Sequence, residues 1–171
     1  LTDRYSAGFV INCSTEADLE VALLSKADGV HLPRSGLSIM AARGTLGAGL
    51  LIGTSTHSVE EAIRAERDGA DFVTFGPVFY TESKKEYGPP VGAERLQEAA
   101  EALAIPVFAL GGIGLSTIDT ALSTGAAGIG LISAIMSAPD TEAAAREIIF
   151  QILKTDKTET LKRGQGRATT I

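Results

Sequence analysis

Hydroxyl and ammonium groups come together in one long polar segment of the sequence, residues 76–92. Thr81, Ser83 and Lys84 follow one another closely there. The charges of a pyrophosphate need several hydrogen-bond donors at once, and two hydroxyls beside a lysine supply them. The segment therefore predicts an anion-binding loop. The alternative is a solvated polar loop whose lysines only cover the surface.

A second candidate anion site involves residues that end two apolar runs. Gly111 and Gly112 directly follow the run 106–110, and Ile132 and Ser133 stand at the end of the next run. Glycine lets the backbone approach a ligand closely, and N–H groups at the start of a helix attract anions. These residues predict a phosphate site, with tight turn geometry alone as the alternative.

Five consecutive polar residues, 54–58, follow the apolar run 50–53. We expect Ser55 to point across towards the polar loop, whereas Ser58 begins a capping box that Glu61 completes. His57 is a possible proton carrier, because a histidine imidazole titrates near neutral pH. A structural histidine that holds its own loop is the preferred interpretation of His57.

Two further runs end in residues that offer little chemistry. Asn12-Cys13 ends one run, and His31 lies within another. Cys13 is predicted to be a small buried apolar residue, and His31 a hydrogen-bonded core histidine. Because magnesium prefers carboxylate oxygens alongside substrate phosphates, neither place predicts a metal site.

The elements that position these residues are six short apolar runs with amphipathic helices between them. The runs read as buried parallel strands because they are continuously apolar and do not alternate with polar residues. They cover residues 9–12, 29–32, 50–53, 71–75, 106–110 and 128–132. Repeated strand-helix units in one direction predict an α/β fold with a parallel sheet.

Three architectures fit such a repeat. A leucine-rich solenoid is disfavoured because the leucine and asparagine ladder is absent, and a doubly wound sheet because no glycine-rich fingerprint follows the first strand. A (β/α)8 TIM-barrel type fold remains, although only six units are convincing. Residues 1–8 resemble the end of a helix stopped by glycine. We therefore expect residues 1–153 to form a partial barrel that lacks its first two βα units, and residues 154–171 to form a frayed polar tail.

Composition narrows the class of partner. The net charge of −6 argues against nucleic acid, which requires a basic face. No apolar run approaches the ~20 residues of a membrane span. The single cysteine forms no intramolecular disulfide, which suits the cytoplasm. A small-molecule phosphate ligand is the expected partner.

Five motifs together resemble the thiamin phosphate synthase and TenI family. They lie at residues 55–58, 75–79, 81–85, 109–113 and 132–135. The resemblance spans residues 8 to 153 and implies a (β/α)8 barrel. The synthases of this family join a pyrimidine pyrophosphate to a thiazole phosphate and release pyrophosphate. The resemblance implies that the pyrophosphate is held by Ser55, Thr81, Ser83 and Lys84, with Ser55 and Lys84 catalytic. It implies that the thiazole phosphate is held by Gly111, Gly112, Ile132 and Ser133.

The sequence departs from the pattern of both branches of the family, the synthases and the TenI-type tautomerases. The synthases have Asn-Asp where this chain has Asn12-Cys13, and an acidic residue near Gly36; those carboxylates bind magnesium. The segment 31–36 is more similar to the TenI branch. However, Pro77 replaces the histidine that TenI-type thiazole tautomerases use, and proline cannot transfer a proton.

The resemblance therefore implies a TenI-like protein of thiamin biosynthesis that binds thiazole phosphate and a pyrophosphate-type anion. A true synthase, which would use magnesium, is one alternative. A non-catalytic regulatory binder of thiamin phosphates is another. A phosphate-handling barrel of tryptophan biosynthesis is disfavoured because it needs acidic and lysine catalysts at strand ends.

The N-terminal residues do not settle where in the chain the two missing βα units would have been. If residues 1–4 are instead the first family strand, the deletion is internal. In either case an incomplete barrel has exposed parallel edges, which tend to pair. We therefore expect a homo-oligomer.

Overall fold

The computed structural model describes residues 4, 7–82, 84 and 88–165, with side chains described up to residue 155. Within these residues there are thirteen elements, which alternate between strand and helix until two helices follow the last strand. The strands are β1 (Val10–Asn12), β2 (Gly29–Leu32), β3 (Leu51–Thr56), β4 (Phe72–Phe75), β5 (Val107–Leu110) and β6 (Gly128–Gly130). The helices are α1 (Glu16–Leu24), α2 (Ile39–Leu46), α3 (Val59–Arg67), α4 (Gly92–Ala102), α5 (Ile118–Ser123), α6 (Ser133–Met136) and α7 (Thr141–Gln165).

All six strands form one parallel sheet in the order β1-β2-β3-β4-β5-β6. Each strand therefore pairs with the next one along the chain, which is the order of a barrel and not of a doubly wound sheet. The predicted strands and the parallel α/β architecture are confirmed. The two missing βα units remain a prediction.

Alternate side chains of the strands pack beneath the helices. Val30, Ile52, Val73 and Ala109 are completely buried on this outer face of the sheet. The inner face carries half-buried residues, which include His31, Ser55, Phe72 and Thr74. The hydrophobic core therefore lies between sheet and helices, and the inner face is left to carry polar groups.

The start of α3 contains part of the capping box that the sequence predicts at Ser58 and Glu61. The Ser58 hydroxyl accepts the backbone N–H of Glu61 at 3.2 Å, so the predicted cap is confirmed. The Glu61 carboxylate accepts the N–H of His57 at 2.8 Å, one residue before the cap. The Glu61 carboxylate thus ties the preceding loop to the helix, whereas in the predicted capping box it would accept the N–H of Ser58.

Helix α7 continues to Gln165, so residues 154–165 are helical where a frayed tail was expected. Asp119 on α5 accepts hydrogen bonds from Gln151 at 2.7 Å and from the hydroxyl of Thr155 at 2.6 Å. These bonds join α7 to α5 beyond the predicted end of the barrel domain. The domain boundary at residue 153 remains a prediction. None of the described helices combines the length and apolarity that a membrane span requires.

Candidate functional site

A small cavity of about 60 Å³ opens at the carboxyl ends of β3, β4 and β5. We call it the mouth cavity. Its lining residues are Ser55, Thr56, His57, Thr74, Gly76, Pro77, Lys84, Leu110 and Gly111. In a parallel barrel the carboxyl ends of the strands form the face that binds ligands. Three of the predicted site residues, Ser55, Lys84 and Gly111, therefore share one cavity at the expected end of the sheet.

Of the other predicted site residues, none that the structure describes lines this cavity. Thr81 lies one turn before Lys84, and its carbonyl accepts the Lys84 N–H at 3.1 Å. Ser83 lies outside the described residues. Ile132 and Ser133 are exposed residues at the start of the short helix α6, and they do not line the mouth cavity.

The turn at Gly111 and Gly112 is packed against the root of the long loop. Their φ angles are +90° and +65°, which favour glycine. A Cβ on Gly111 would lie 2.6 Å from the Pro77 Cα, and one on Gly112 would lie 2.5 Å from the Tyr80 carbonyl oxygen. The Gly111-Gly112 turn is therefore in direct contact with the root of the predicted anion-binding loop, and both glycines are needed for the loop to approach this closely.

Hydrogen bonds hold that loop root in place. The N–H of Val78 donates to the Leu110 carbonyl at 2.9 Å, and the N–H of Phe79 donates to the Gly111 carbonyl at 3.0 Å. The ring Nδ1 of His57 bonds to the Gly76 carbonyl. His57 thus holds the loops after β3 and β4 together, which confirms the structural interpretation of this histidine.

A polar network lies on the inner face below the mouth cavity. Nδ1 of His31 is 3.2 Å from Oδ1 of Asn12, and its Nε2 is 3.1 Å from the Thr74 hydroxyl. Burial lowers the pKa of His31, which favours the neutral imidazole. Since Oδ1 of Asn12 can only accept, Nδ1 carries the proton and Nε2 accepts from Thr74. The prediction of a hydrogen-bonded histidine is confirmed.

The link from His31 to the mouth cavity was not anticipated. His31 lies on β2 and Thr74 on β4, so the bond spans the intervening strand β3. Gly53 lies beside His31 in the register and has no side chain to obstruct it. A glycine within a strand was the signal available in the sequence, since it marks a close approach of neighbouring groups.

Aromatic rings fill the inner face next to this network. The rings of His31 and Phe72 have centroids 6.4 Å apart, and Phe72 meets Phe108 edge to face at 5.7 Å. A Cβ on Gly53 would lie 2.1 Å from the Phe72 ring. Gly53 therefore makes room for Phe72, which adds apolar surface beneath the polar mouth.

A larger opening of about 300 Å³ lies between α2 and α3 outside the sheet. We call it the outer groove. Its lining residues are Arg34, Ile39, Thr54, Ser55, Thr56, Glu61, Arg64, Ala65 and Asp68. Arg34 pairs with Glu61 at 3.0 Å. The outer groove and the mouth cavity share Ser55 and Thr56, so they meet at the carboxyl end of β3.

The ends of β1 and β2 do not fit a magnesium ion. Cys13 is fully buried, and burial, followed by the nearby charge of Asp18, raises the pKa of its thiol. The Asn12 amide oxygen is engaged by His31. Among the described residues, no three acidic, histidine or cysteine side chains are grouped to hold a metal. A hard cation needs several oxygen ligands, which these residues do not offer.

Comparison with known proteins places these features in one family. The family model for thiamine monophosphate synthase matches residues 1–135. A putative thiamine-phosphate synthase of Geobacter sulfurreducens is 48% identical over 149 residues, which cover 87% of this chain and 68% of the relative. The thiamine-phosphate synthase of Methanocella arvoryzae is 47% identical over 130 residues, which cover 76% of this chain and 61% of the relative. The chain thus spans roughly two thirds of each relative.

A solved structure agrees with the sequence comparison. Thiamine phosphate pyrophosphorylase from Pyrococcus furiosus superimposes with a TM-score of 0.80 at 36% identity, over 90% of this chain and 71% of that one. A KDPGal structure shares the fold alone, with a TM-score of 0.66 at 20% identity. The motifs, the sheet order and both comparisons agree: the chain belongs to the thiamine monophosphate synthase family.

Proposed function

We propose that this chain binds thiazole phosphate at the Gly111-Gly112 turn and a pyrophosphate-type anion at Ser55 and Lys84. The observation that supports this most directly is that Ser55, Lys84 and Gly111 line one cavity. A hydroxyl, an ammonium group and a glycine turn are complementary to two phosphate groups held side by side. On the sequence motifs, we propose Thr81 and Ser83 as further donors to the pyrophosphate, and Ile132 and Ser133 as further contacts of the thiazole phosphate.

The same donors suit the chemistry of the family. When the bond between the pyrimidine methylene and pyrophosphate breaks, its electron pair leaves with the pyrophosphate oxygen. Lys84 and Ser55 stabilise the negative charge that develops there. The thiazole nitrogen then donates its lone pair to the methylene carbon, and a carbon–nitrogen bond forms. Lys84 and Ser55 thereby act as the catalytic residues.

The proposed function is TenI-like because the segment 31–36 resembles that branch, and because the carboxylates of a magnesium site are missing at Asn12-Cys13 and near Gly36. Pro77 lines the cavity where a tautomerase would need a proton-transferring side chain. A regulatory binder of thiamin phosphates is therefore the second candidate. Formation of product distinguishes an enzyme from a regulatory binder, since a binder would retain both anion sites but yield no thiamin phosphate.

Calorimetric titration tests the proposed sites individually. We expect the chain to bind thiazole phosphate, and we expect Lys84→Ala to weaken binding of pyrophosphate by about tenfold while thiazole phosphate binding is retained. Lys154→Ala is the matched control, because Lys154 lies on α7 near Asp119. Absence of thiazole phosphate binding to the unmodified chain contradicts the proposal.

An assay with pyrimidine pyrophosphate and thiazole phosphate, with and without magnesium, then identifies the activity. Formation of thiamin phosphate assigns a synthase. Binding of both phosphates without product assigns the regulatory function.

A further inference from the structure

Arg34 lines the outer groove and Lys84 lines the mouth cavity. The two openings share Ser55 and Thr56, so they meet at the carboxyl end of β3. The lining of each opening therefore includes a cation. We propose that Arg34 is a second anion-binding residue, which contacts a pyrophosphate-type ligand in the mouth cavity from the outer side without a metal ion. This inference rests on the proposed function, whose ligand it shares.

Arg34 is well suited to exchange its present partner for a ligand. Its side chain is 68% exposed, and it pairs with Glu61 at 3.0 Å. Exposed ion pairs contribute little to stability because water screens both charges. A guanidinium group forms two parallel hydrogen bonds with a phosphate, which carries more negative charge than a carboxylate. Transfer of Arg34 from Glu61 to a pyrophosphate is therefore favourable.

Glu61 keeps its other contacts when Arg34 moves. Its Oε2 accepts the N–H of His57 at 2.8 Å, and the residue lies in the first turn of α3, where negative charge is stabilised. The exchange thus leaves no carboxylate without a partner. Glu61 holds Arg34 at the edge of the site in the ligand-free protein, and His57 connects Glu61 to the loop that carries Pro77.

The charge of the ligand also calls for a second cation. The described residues at the ends of β1 and β2 do not fit a magnesium ion, as shown above. Together, Arg34 and Lys84 carry the same total charge as one divalent cation. Because their two openings share Ser55 and Thr56, we expect Arg34 and Lys84 to contact different oxygens of one pyrophosphate. The ligand class is therefore an anion of at least two linked phosphates, bound with its negative charge neutralised by side chains.

The test is a titration of inorganic pyrophosphate into the whole 171-residue chain, in EDTA and then in magnesium. We expect the chain to bind pyrophosphate in EDTA. Arg34→Gln should weaken this binding by about tenfold or more, and Arg34→Lys should weaken it less because one hydrogen bond remains. Arg64→Gln is the control, since Arg64 is likewise an exposed arginine that lines the outer groove, and it lies on α3 three residues after Glu61. It should change the affinity by no more than about twofold.

Two results overturn the inference. One is equal affinity of the Arg34→Gln and Arg64→Gln variants, and the other is pyrophosphate binding that appears only with magnesium. Thiazole phosphate titrated into the same samples separates this inference from the proposed function. If thiazole phosphate binds and either overturning result is found, only the role of Arg34 is wrong. If the unmodified chain binds neither phosphate, the proposed function fails as well.

Discussion

The imidazole of His31 on β2 reaches across β3 to the hydroxyl of Thr74 on β4, with Nε2 and Oγ1 3.1 Å apart. Thr74 in turn lines the mouth cavity. Because its proton is donated to His31, the Thr74 oxygen offers only lone pairs to a ligand. The hydrogen bond that His31 donates to Asn12 therefore determines which kind of group the cavity presents two strands away.

This network predicts a pH dependence of stability. Burial lowers the pKa of His31, so the unfolded chain takes up its proton at a higher pH than the folded chain. The stabilising contribution is fully present above the ordinary histidine pKa of about 6.5 and decreases as the pH falls below it. Urea unfolding at several pH values should show a steeper loss of stability for the unmodified chain than for His31→Gln. Identical pH profiles contradict this assignment.

Gly53→Ala should destabilise the fold, because the new Cβ would lie 2.1 Å from the Phe72 ring. We expect a loss of about 1–3 kcal/mol in the free energy of unfolding. Combining it with Phe72→Leu should cost less than the sum of the two single changes. Gly44→Ala is the control, since a Cβ added to Gly44 would meet nothing within 4 Å. This substitution should stabilise α2 by up to about 1 kcal/mol. Strict additivity of the first pair would show that Gly53 does not make room for Phe72.

Gly112→Ala should disrupt the turn beneath the loop root. The new Cβ would lie 2.5 Å from the Tyr80 carbonyl oxygen, and a φ of +65° is strained for alanine. We expect thiazole phosphate affinity, measured by calorimetry, to fall by about tenfold or more as the loop shifts. Gly114→Ala, with no neighbour within 4 Å, should bind normally. Unchanged affinity of the Gly112 variant would remove this turn from the candidate site.

Arg43 and Asp71 form an ion pair at the amino ends of β3 and β4, which is the end of the sheet opposite to the mouth cavity. Arg43 contacts Asp71 at 2.5 Å and the Leu50 carbonyl at 2.8 Å, and Asp71 also accepts the Ile52 N–H at 2.7 Å. Both side chains are partly exposed, so we expect Asp71→Asn to lower the free energy of unfolding by about 1–3 kcal/mol.

Phosphate binding should be unaffected by Asp71→Asn, because this pair lies away from the mouth cavity. Glu98→Gln, which breaks an exposed pair with Arg95 at 2.6 Å, should alter stability much less. Denaturant unfolding measures both changes. Equal effects of the two substitutions would contradict a special role for Asp71.

The edge strand β1 should make the 171-residue chain self-associate. Phe9 and Val10 are each 40% exposed, and β1 pairs only with β2 among the described residues. Sedimentation over a range of concentrations should reveal oligomers, and Val10→Lys should reduce them because a charged edge resists pairing. Leu24→Lys is the control, since Leu24 lies on α1 and is 85% exposed. A monomer at all concentrations contradicts this prediction.

Local sequence was sufficient to predict the strands, the cap of α3 and the family. Each depends on residues that are close along the chain: a continuous apolar run, a serine before a helix, or a short motif. Sequence was less reliable for the C-terminal segment. Its polar composition predicted a tail, whereas Asp119 joins Gln151 and Thr155 and thereby docks α7. That contact links residues far apart in the chain, so no local pattern contains it.

The amino-acid sequence alone thus determined the parallel α/β architecture, and it placed Ser55 and Gly111 at strand ends and Lys84 in the loop after β4. Only the tertiary structure decided that these three residues share a cavity, that His31 reaches Thr74, and that Arg34 lies beside Glu61. The physical reason is that side chains on separate strands meet through sheet register and through space left by a residue such as Gly53. Register and packing are properties of the whole sheet, whereas apolar runs and caps are properties of each segment.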